Sequence, residues 1–460
     1  MKYLSTIQTI AYRRKLLVYL VGGHLRDQFL NREGFDFDFA VSKDALALAR
    51  AFAKSIKGAF VLLDEEHPCG RVVKKENGEV WTFDFSDFRA PTLQKDLALR
   101  DFTINTLCKS INDAKVLDYR QALKDLKSKM IRMVSPRAFV DDPLRLMRAF
   151  SLFAQLGFKI EAKTFKQIQK DAPLINKVSV ERVREEWFKI LSSHRTFDSI
   201  ILMHKAGLLQ KVMPQLGVME RVHQGGYHHL DVWKHSLEVV RQFELLAFEL
   251  KDEFIQNYLQ EEIAANHKRY ALLKFACLLH DIGKPDTKKK EKGRMTFHGH
   301  EKVGADITRI VAKQLKLAVK ERYFLEDMVA WHLRPGYMSN FKQPSERMIF
   351  RFLRDTKQEA LSVLLLALAD QRATRGPLTK KAKSEHHRKT CWQVIERFIQ
   401  SQNQKPLVRL LTGHDLIKKL KLKPSPLFTK ILTKVQEAQA LGKISTKQEA
   451  LILAGKIAKL

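Results

Sequence analysis

The chain has few cysteines and no long apolar run. Its four cysteines, among 460 residues, show no CxxC spacing, which argues against a disulfide framework and a cysteine-type zinc site. The longest apolar runs, such as "LSVLLLALA", fall well short of the roughly 20 residues that a membrane-spanning helix needs. The N-terminal segment has no continuous apolar core followed by a small-residue cleavage site, which disfavours secretion. These features predict a soluble, cytoplasmic protein with buried thiols.

Acidic residues are in marked deficit. There are 82 lysines and arginines against 51 aspartates and glutamates, a formal net charge of +31. This excess is larger than solubility requires, and it is spread over the whole chain instead of one cluster. The distribution favours a nucleic acid over a membrane surface as the polyanionic partner. A generally basic proteome in the source organism is the alternative explanation.

The distribution of apolar residues divides the chain into four predicted regions. Residues 1–135 alternate short β-rich runs with helical segments, and residues 136–220 show apolar residues at helical spacing. Residues 221–400 remain helical and concentrate histidines, and residues 401–460 hold 12 lysines and arginines against 3 acidic residues. We therefore predict an α+β fold, with a small mixed-sheet head followed by an elongated all-helical body.

Two aspartates alternate with phenylalanines in "FDFDFAV". Because side chains of a strand alternate between its faces, Asp36 and Asp38 share one face and both can reach a divalent cation. Hard oxygen ligands of this kind suit Mg²⁺, and two such ions can activate a hydroxyl and neutralise phosphate charge. A DxD pattern standing alone is more often a solvated turn.

Two glycines follow the apolar run "LLVYLV". A turn without Cβ atoms at Gly22 and Gly23 lets backbone N–H groups approach a triphosphate, and Arg26 is a bidentate phosphate donor. An ordinary left-handed turn with a surface arginine is the alternative.

The order Gly22-Gly23-His24-Leu25-Arg26-Asp27, then Asp36-Phe37-Asp38, resembles the signature of the tRNA nucleotidyltransferase and bacterial poly(A) polymerase family, which are class II nucleotidyltransferases. The resemblance implies that Asp36 and Asp38 bind the catalytic Mg²⁺ ions. "LQKDLALRDFTINTL" resembles the family's second block, which implies that Arg100, Asp101 and Asn105 arrange the triphosphate and ribose. The family usually has a double arginine where this chain has Leu99-Arg100. A surface ion pair between Arg100 and Asp101 is the alternative interpretation of this block alone.

A third motif, "DDPLRLMRAFSLFAQLGF", suggests how a base is selected. Asp142, Arg145 and Arg148 are spaced i, i+3, which predicts a contiguous polar edge on one helix face. A carboxylate accepting from an exocyclic amine and an arginine donating to the adjacent ring acceptor suit C and A but not U or G. The block resembles the family's base-reading motif, which implies that Asp142 and Arg145 pair with the base and that Arg148 contacts the nucleotide. A helix-surface salt bridge is the alternative.

This chain departs from the family pattern at two further places. Ser151 stands where the family often has another arginine, and only "APT" separates "EVWTFDFSDFR" from "LQKDLALRD". Complete CCA-adding members usually carry a longer flexible loop there, so a CC-adding or otherwise specialised enzyme remains open. Asp84 and Asp87, near the end of the preceding strand, either assist the metal site or lie at a solvated strand end. "VSVERVREEWFKIL" resembles the family's last block, whose role is to brace the base-reading helix.

Histidines and aspartates recur in the middle of the chain in the order H…HD…D. Imidazole and carboxylate ligands arriving from different predicted helices suit a divalent transition metal in a bundle core. The set with "LLHDIGKP" resembles the HD phosphohydrolase domain, and retained hydrolytic activity is left open. The predicted ligands are His235, His280, Asp281 and Asp370, with His298, His300 and His332 as auxiliary candidates.

The motifs together favour a template-independent nucleotidyltransferase that adds C, A or both from CTP and ATP to the 3′ end of tRNA. The last segment resembles the C-terminal part of the HD-bearing branch, and its lysines are expected to follow an RNA backbone. A poly(A) polymerase that extends other RNA is the first alternative. The second is an HD phosphohydrolase whose head binds RNA. Neither a membrane nor DNA is expected as a partner.

Overall fold

The computed structural model places the chain in two compact units, residues 1–212 and 213–460. The division into four regions stays a prediction. The structure describes residues 2–64, 68–113, 115–226, 228–402 and 408–459.

The first unit contains a seven-stranded mixed sheet, which confirms the α+β prediction. Neighbouring strands follow the order β3-β4-β5-β2-β1-β6-β7, with β2 and β5 parallel and the other pairs antiparallel. The strands are β1 (Val18–Val21), β2 (Asp36–Val41), β3 (Ala59–Asp64), β4 (Cys69–Glu76), β5 (Glu79–Asp87), β6 (Cys108–Ser110) and β7 (Val116–Leu117).

An aromatic core covers one face of this sheet. Phe39 of β2 stacks on Phe85 of β5 with ring centroids 4.9 Å apart. Phe52 of the helix α3 (Ala45–Ile56) meets Phe83 edge-on at 5.0 Å, so this helix covers the face opposite the aspartates. The helices of the head are α1 (Lys2–Arg13), α2 (Gly23–Phe29), α3 (Ala45–Ile56), α4 (Leu93–Leu97) and α5 (Ala122–Lys127).

Helices make up most of the remainder of the first unit. Two short strands, β8 (Met130–Ile131) and β9 (Lys159–Ile160), pair in parallel there. The helices are α6 (Ala138–Asp141), α7 (Arg145–Leu156), α8 (Ala162–Asp171), α9 (Val180–Ser192), α10 (Thr196–Lys205) and α11 (Leu209–Val212).

Asp142 does not lie on the helix that was predicted to carry it together with Arg145 and Arg148. It is extended, with φ −145° and ψ 101°, and ends α6, whereas α7 begins at Arg145. Pro143 explains the difference, because a proline disfavours helical backbone at the preceding residue. The three side chains nevertheless line one cleft.

The second unit is helical except for two short ribbons, so the prediction of an all-helical body was incomplete. The ribbons pair β10 (Glu262–Ala264) with β11 (His267–Lys268) and β12 (Lys289–Glu291) with β13 (Arg294–Thr296). The helices are α12 (Val232–Glu249), α13 (Glu253–Gln260), α14 (Arg269–Leu279), α15 (Lys284–Thr287), α16 (His300–Gln314), α17 (Val319–Trp331), α18 (Arg334–Met338), α19 (Glu346–Thr356), α20 (Ala360–Ala373), α21 (Lys381–Gln402), α22 (Gly413–Leu420), α23 (Pro426–Ala440) and α24 (Lys447–Ala458).

Two apolar helices form the centre of this unit. All of α14 is buried, as is α20 from Ala360 to Ala369, because neither helix has a polar face to present to water. His280 directly follows α14, and Asp370 lies near the end of α20, so both polar residues are delivered to the edge of the core. No helix in the described residues has the length and apolarity needed to cross a membrane.

The last three helices have an apolar cluster of their own, which includes Leu416, Ile431 and Ala450. The buried carboxylate of Glu437 on α23 accepts hydrogen bonds from Arg347 and, at 2.9 Å, from Arg351, both on α19. This contact fixes the basic tail to the helices before it.

Candidate active site

Three carboxylates meet on the open face of the head sheet. Asp36 and Asp38 share this face of β2, and Asp84 of the parallel strand β5 stands in register beside Asp38. Arg71 of β4 donates two hydrogen bonds of 2.8 Å to the carboxylate of Asp84. Asp84 therefore belongs to the carboxylate cluster, whereas Asp87 accepts a bond of 2.7 Å from the backbone N–H of Ala45.

The charge of this cluster fits a divalent cation. The surrounding protein removes water from the Asp38 carboxylate, which raises its pKa. The positive charge of Arg100 lowers this pKa, whereas the negative charges of Asp84 and Asp36 raise it further. A cation among these oxygens would relieve the repulsion, and hard oxygen ligands are those that small divalent cations prefer. Asp36 and Asp38 are thus well placed to hold such an ion.

The glycine turn is pressed against the carboxylate cluster. Gly22 has φ 79° and ψ −144°, a backbone conformation that only glycine adopts readily. A Cβ atom at this position would lie 2.8 Å from Oδ2 of Asp38 and 3.3 Å from Nη1 of Arg100. The absence of a side chain is therefore what allows the turn, the carboxylate and the arginine to converge.

Arg148 and Asp101 form the central ion pair of the cleft. Oδ2 of Asp101 accepts from Nε of Arg148 at 2.8 Å, and Oδ1 accepts from the Phe102 N–H at 2.7 Å and from Asn105 at 3.0 Å. Burial raises the pKa of Asp101, but these partners outweigh it and bring the pKa to about 2. Asp101 is therefore ionised and holds Arg148 toward the cleft.

Arg26 is engaged within the head. Its Nε and Nη2 donate to the carboxylate of Asp27 at 2.9 and 2.8 Å, and its Nη1 donates to Asn105 at 2.9 Å. These bonds brace α2 against the turn at residues 103–105. A phosphate contact by Arg26 stays a prediction and would require some of these donors to be exchanged.

Two arginines share the buried carboxylate of Asp96. The backbone N–H and Nε of Arg89 donate to its Oδ1 at 3.0 and 3.1 Å, and Nη2 of Arg100 lies 4.0 Å from Oδ2. Nε of Arg100 is buried without a hydrogen-bond partner among the described residues, and burial lowers the pKa of this guanidinium. Leu99, where the family has another arginine, is exposed. Arg89 thus brings a second guanidinium to the cleft from the short connection after β5.

A backbone cage fixes Arg145. Its Nη2 donates to the carbonyl of Leu99 at 2.7 Å, and its Nη1 donates to the carbonyls of Arg100 and Ala138, both at 3.2 Å. Three of the five donors of the guanidinium are thereby used, which leaves two for a ligand. The side chain is positioned before any nucleotide arrives.

Arg182 of α9 holds Asp142. Its Nη2 donates to Oδ2 of Asp142 at 3.1 Å, and the Leu144 N–H donates to Oδ1 at 3.2 Å. We expected this block only to brace the helix, but here one of its arginines touches the predicted base-reading carboxylate directly. Asp142 and Arg182 are 40 residues apart, and no sequence periodicity predicts a contact over that separation, so this role of Arg182 was not predicted.

Ser151 replaces the additional family arginine without leaving a void. Its hydroxyl donates to the buried carboxylate of Glu186, which also lies 2.8 Å from Nζ of Lys189 and 3.8 Å from Arg148. Glu186 therefore supports Arg148 from behind. The cleft in front of these residues measures about 680 Å³ and is lined by Asp38, Asp84, Arg89, Arg100, Asp142, Arg145, Arg148 and Arg182.

The predicted HD ligands also converge, in two adjacent clusters of the second unit. His235, His280 and Asp370 form one, and Asp281, His300 and His332 form the other, with the ligand atoms of each cluster within 4.8 Å of one another. Asp281 connects them.

The carboxylate of Asp281 spans the two clusters. Its Oδ2 lies 3.1 Å from Nε2 of His280 and 3.7 Å from Nε2 of His235, and its Oδ1 lies 3.3 Å from Nε2 of His300 and 3.8 Å from Nε2 of His332. One carboxylate can therefore bridge two ions. His298, by contrast, is exposed and lies outside both clusters.

Backbone contacts orient three of these imidazoles. Nδ1 of His280, His300 and His332 lies 2.9, 2.8 and 2.7 Å from the carbonyls of Cys277, Phe297 and Val329, respectively. An Nδ1–H bonded in this way leaves the Nε2 lone pair free for a metal.

The protonation states of His235, His332 and Asp281 also fit metal binding. Burial lowers the pKa of His235 and brings that of His332 to about 3, so both rings are neutral. Burial raises the pKa of Asp281, but His280 and Lys284 outweigh it, so this carboxylate is ionised. A cavity of about 300 Å³ opens onto the clusters and is lined by His228, His332, Asp370, Lys380, Lys383 and His387.

Four family models match the chain. The model described as "Poly A polymerase head domain" matches residues 18–132, and the model described as "Probable RNA and SrmB-binding site of polymerase A" matches residues 157–219. The HD domain matches residues 232–375, and tRNA nucleotidyltransferase domain 2 matches residues 379–454.

Two relatives cover nearly the whole chain. The A-adding tRNA nucleotidyltransferase of Deinococcus radiodurans is 32% identical over 441 residues, 94% of this chain and 93% of that protein. The CC-adding tRNA nucleotidyltransferase of Thermus thermophilus is 30% identical and covers 94% and 91%. These identities do not favour either specificity.

Solved structures share the fold. The Thermotoga maritima CCA-adding enzyme complexed with tRNA has a TM-score of 0.63 at 17% identity, covering 99% of this chain and 94% of that one. A CCA-adding enzyme in apo form reaches 0.66, also at 17% identity, over 97% and 92%. With its glycine turn, carboxylate pair and HD ligands in place, the chain belongs to the class II tRNA nucleotidyltransferase and bacterial poly(A) polymerase family, in the branch that carries an HD domain.

Proposed function

We propose that this protein adds C, A or both from CTP and ATP to the 3′ end of tRNA without a nucleic-acid template. The observation that carries the proposal is that Asp38, Arg100, Asp142 and Arg145 line one cleft of the head, while Asp36 lines a cavity that shares Asp38 and Arg100 with this cleft. A tRNA substrate places the reaction in the cytoplasm. The basic tail supplies further cations for the RNA backbone.

In this reaction the 3′ oxygen of the tRNA forms a bond to the α-phosphorus and its proton passes to water. The bond from that phosphorus to the β-phosphate bridging oxygen breaks, which releases pyrophosphate. Asp36 and Asp38 would hold two Mg²⁺ ions. When bound, these ions activate the hydroxyl and neutralise phosphate charge. Arg100 and the Gly22-Gly23 turn hold the triphosphate, and Arg148, oriented by Asp101, contacts the nucleotide beside Asn105.

Base choice rests on the edge formed by Asp142 and Arg145. Cytosine and adenine both present an exocyclic amine next to a ring acceptor, so one carboxylate and one guanidinium can read either base. Uracil and guanine present a carbonyl in place of that amine, which would face the carboxylate without a proton to donate. The backbone cage around Arg145 keeps this edge in position between additions.

Arg182 contributes to this selectivity as a positioning residue. We expect Arg182→Gln to lower the ratio of kcat/KM for CTP or ATP over that for UTP or GTP about fivefold. That corresponds to about 1 kcal/mol, a modest value because the Arg182 side chain is 54% exposed. Arg184→Gln is the matched control, since Arg184 pairs with Glu185 instead. If this kcat/KM ratio were the same in Arg182→Gln and Arg184→Gln, Arg182 would have no such positioning role.

The short connection after β5, residues 88–92, favours addition of only part of the CCA end. Three tRNA transcripts test this, ending at the position before CCA, after the first C and after both C residues. A CC-adding enzyme extends the first two with CTP, an A-adding enzyme extends only the third with ATP, and a complete enzyme extends all three. Long A tails on an unstructured RNA would favour poly(A) polymerase instead.

We further propose that the HD clusters bind divalent transition metals and hydrolyse a phosphoester. The oriented Nε2 atoms and the Asp281 bridge support this second function. We expect His280→Ala to lower the transition-metal content of the purified protein by at least one ion per chain and to abolish phosphate release. His298→Ala is the control. Equal metal contents in the two variants would refute the assignment, and nucleotide incorporation by the head should be unchanged in both.

A further inference from the structure

A strongly basic ribbon projects from the HD region. It consists of residues 288–294, where β12 and β13 meet at a tight turn with positive φ at Lys292 (48°) and Gly293 (76°). Five of its residues are exposed cations: Lys288, Lys289, Lys290, Lys292 and Arg294. We call this segment the basic ribbon.

Among the residues that the structure describes, no carboxylate pairs with the cations of the basic ribbon. Its single acidic residue, Glu291, lies 3.9 Å from His298. Within the described ranges, none of the five cations forms a salt bridge. A two-stranded ribbon with this density of unpaired positive charge is electrostatically unfavourable until an anion approaches.

The base of the ribbon is fixed to the metal clusters. Before it, the Thr287 hydroxyl donates to the carbonyl of Gly283 at 3.0 Å, two residues after Asp281. After it, the carbonyl of Phe297 lies 2.8 Å from Nδ1 of His300. Gly283 itself touches α16, because a Cβ atom there would lie 2.3 Å from the carbonyl oxygen of His300. The ribbon therefore has a fixed position relative to Asp281 and His300.

The ribbon also adjoins the mouth of the HD cavity. Gly225 and Gly226 lie between β13 and the cavity. A Cβ atom added to Gly225 would lie 3.9 Å from Cβ of Met295, and one added to Gly226 would lie 2.7 Å from the Leu378 side chain. Leu378 lines the cavity together with Lys380 and Lys383. The rim of this cavity therefore also carries positive charge, at Lys380 and Lys383.

We propose that the basic ribbon binds the phosphate backbone of a single-stranded RNA and holds that strand beside the HD centre. The contact is electrostatic and independent of sequence. RNA fits better than a membrane, because the Lys292-Gly293 tip has no apolar side chain to insert into lipid. Each strand of the ribbon is about 10 Å long, so several phosphates can be contacted at once. This surface is distinct from the head cleft and does not depend on nucleotide addition.

The test uses the full chain with Lys289, Lys290 and Arg294 replaced by glutamine. Binding of a fluorescently labelled oligouridine is measured across salt concentrations. K is the association constant for the RNA. For a single strand, each lost phosphate contact reduces the magnitude of the slope of log K against log salt concentration by about 0.7, so losing three contacts should reduce it by about 2. The control K313Q/K320Q/K342Q removes the same charge from exposed positions outside the ribbon and should leave the slope near that of the wild type.

Equal slopes for the ribbon variant and the control variant would overturn the proposal. So would tight binding of the ribbon to phosphatidylserine vesicles with no effect of the substitutions on RNA. Photocrosslinking of 4-thiouridine RNA should label residues 288–297, and labelling confined to other segments would also contradict it. Nucleotide incorporation at saturating tRNA should be the same in both variants as in the wild type. If the wild-type protein itself incorporates no nucleotide, the proposed function of the head fails, but the test of the ribbon is unaffected.

Discussion

Replacing Asp38 with asparagine is expected to lower nucleotide incorporation by at least ~10³-fold. The substitution keeps the size of the side chain but removes one of the charges that hold the cations, and metal-ion stabilisation of such a reaction contributes several kcal/mol. Single-turnover incorporation of labelled CTP and ATP into the three truncated tRNA transcripts measures the effect. Affinity for tRNA, measured by filter binding, should change by less than about twofold.

Asp44→Asn is the matched control for this experiment. Asp44 is an exposed residue of the same head with φ 57°, a conformation that asparagine tolerates well. It should incorporate nucleotides at the wild-type rate. If the Asp38→Asn protein retained that rate too, the carboxylate pair on β2 would not be the reaction centre.

Replacing Gly22 with alanine should also be severe, and for two separate reasons. The backbone conformation at φ 79° and ψ −144° costs a residue with a side chain about 1–3 kcal/mol. In addition, the new Cβ atom would lie 2.8 Å from Oδ2 of Asp38 and displace it. We expect incorporation to fall at least ~10²-fold and thermal unfolding to occur at a lower temperature, as measured by calorimetry.

Gly78→Ala separates these two causes. Gly78 has a similar φ of 83°, but a Cβ atom there meets nothing within 4 Å. This variant should lose stability through the backbone alone and keep nearly full activity. A Gly22→Ala protein with activity equal to that of Gly78→Ala would show that the close approach to Asp38 is unimportant.

Local sequence patterns were sufficient to predict much of this architecture. The alternation in "FDFDFAV" predicted which side chains of β2 are buried, and Phe37 and Phe39 are indeed buried while Asp36 and Asp38 face outward. The H…HD…D order predicted residues that the structure brings into two clusters. Such patterns succeed because strand periodicity and ligand chemistry are properties of short segments.

Contacts between distant segments were beyond the reach of these patterns. Arg71 meets Asp84 only because β4 and β5 pair, and Arg182 meets Asp142 only because α9 packs near α7. Arg89 and Asp96 are only seven residues apart, but their contact depends on how the connection after β5 folds back onto α4, which no periodic pattern predicts. The extended conformation of Asp142, by contrast, has a local cause, and Pro143 in the sequence was sufficient to predict it.

The most direct test of the account is incorporation from each of the four nucleoside triphosphates, supplied singly to each of the three tRNA transcripts that end before CCA, after the first C and after both C residues. The account predicts addition of C, A or both, stopping within CCA, with UTP and GTP used at least ~10-fold less well because they offer no amine to Asp142. Incorporation of all four nucleotides at similar rates, or no incorporation by the folded protein on any of the three transcripts, would contradict it.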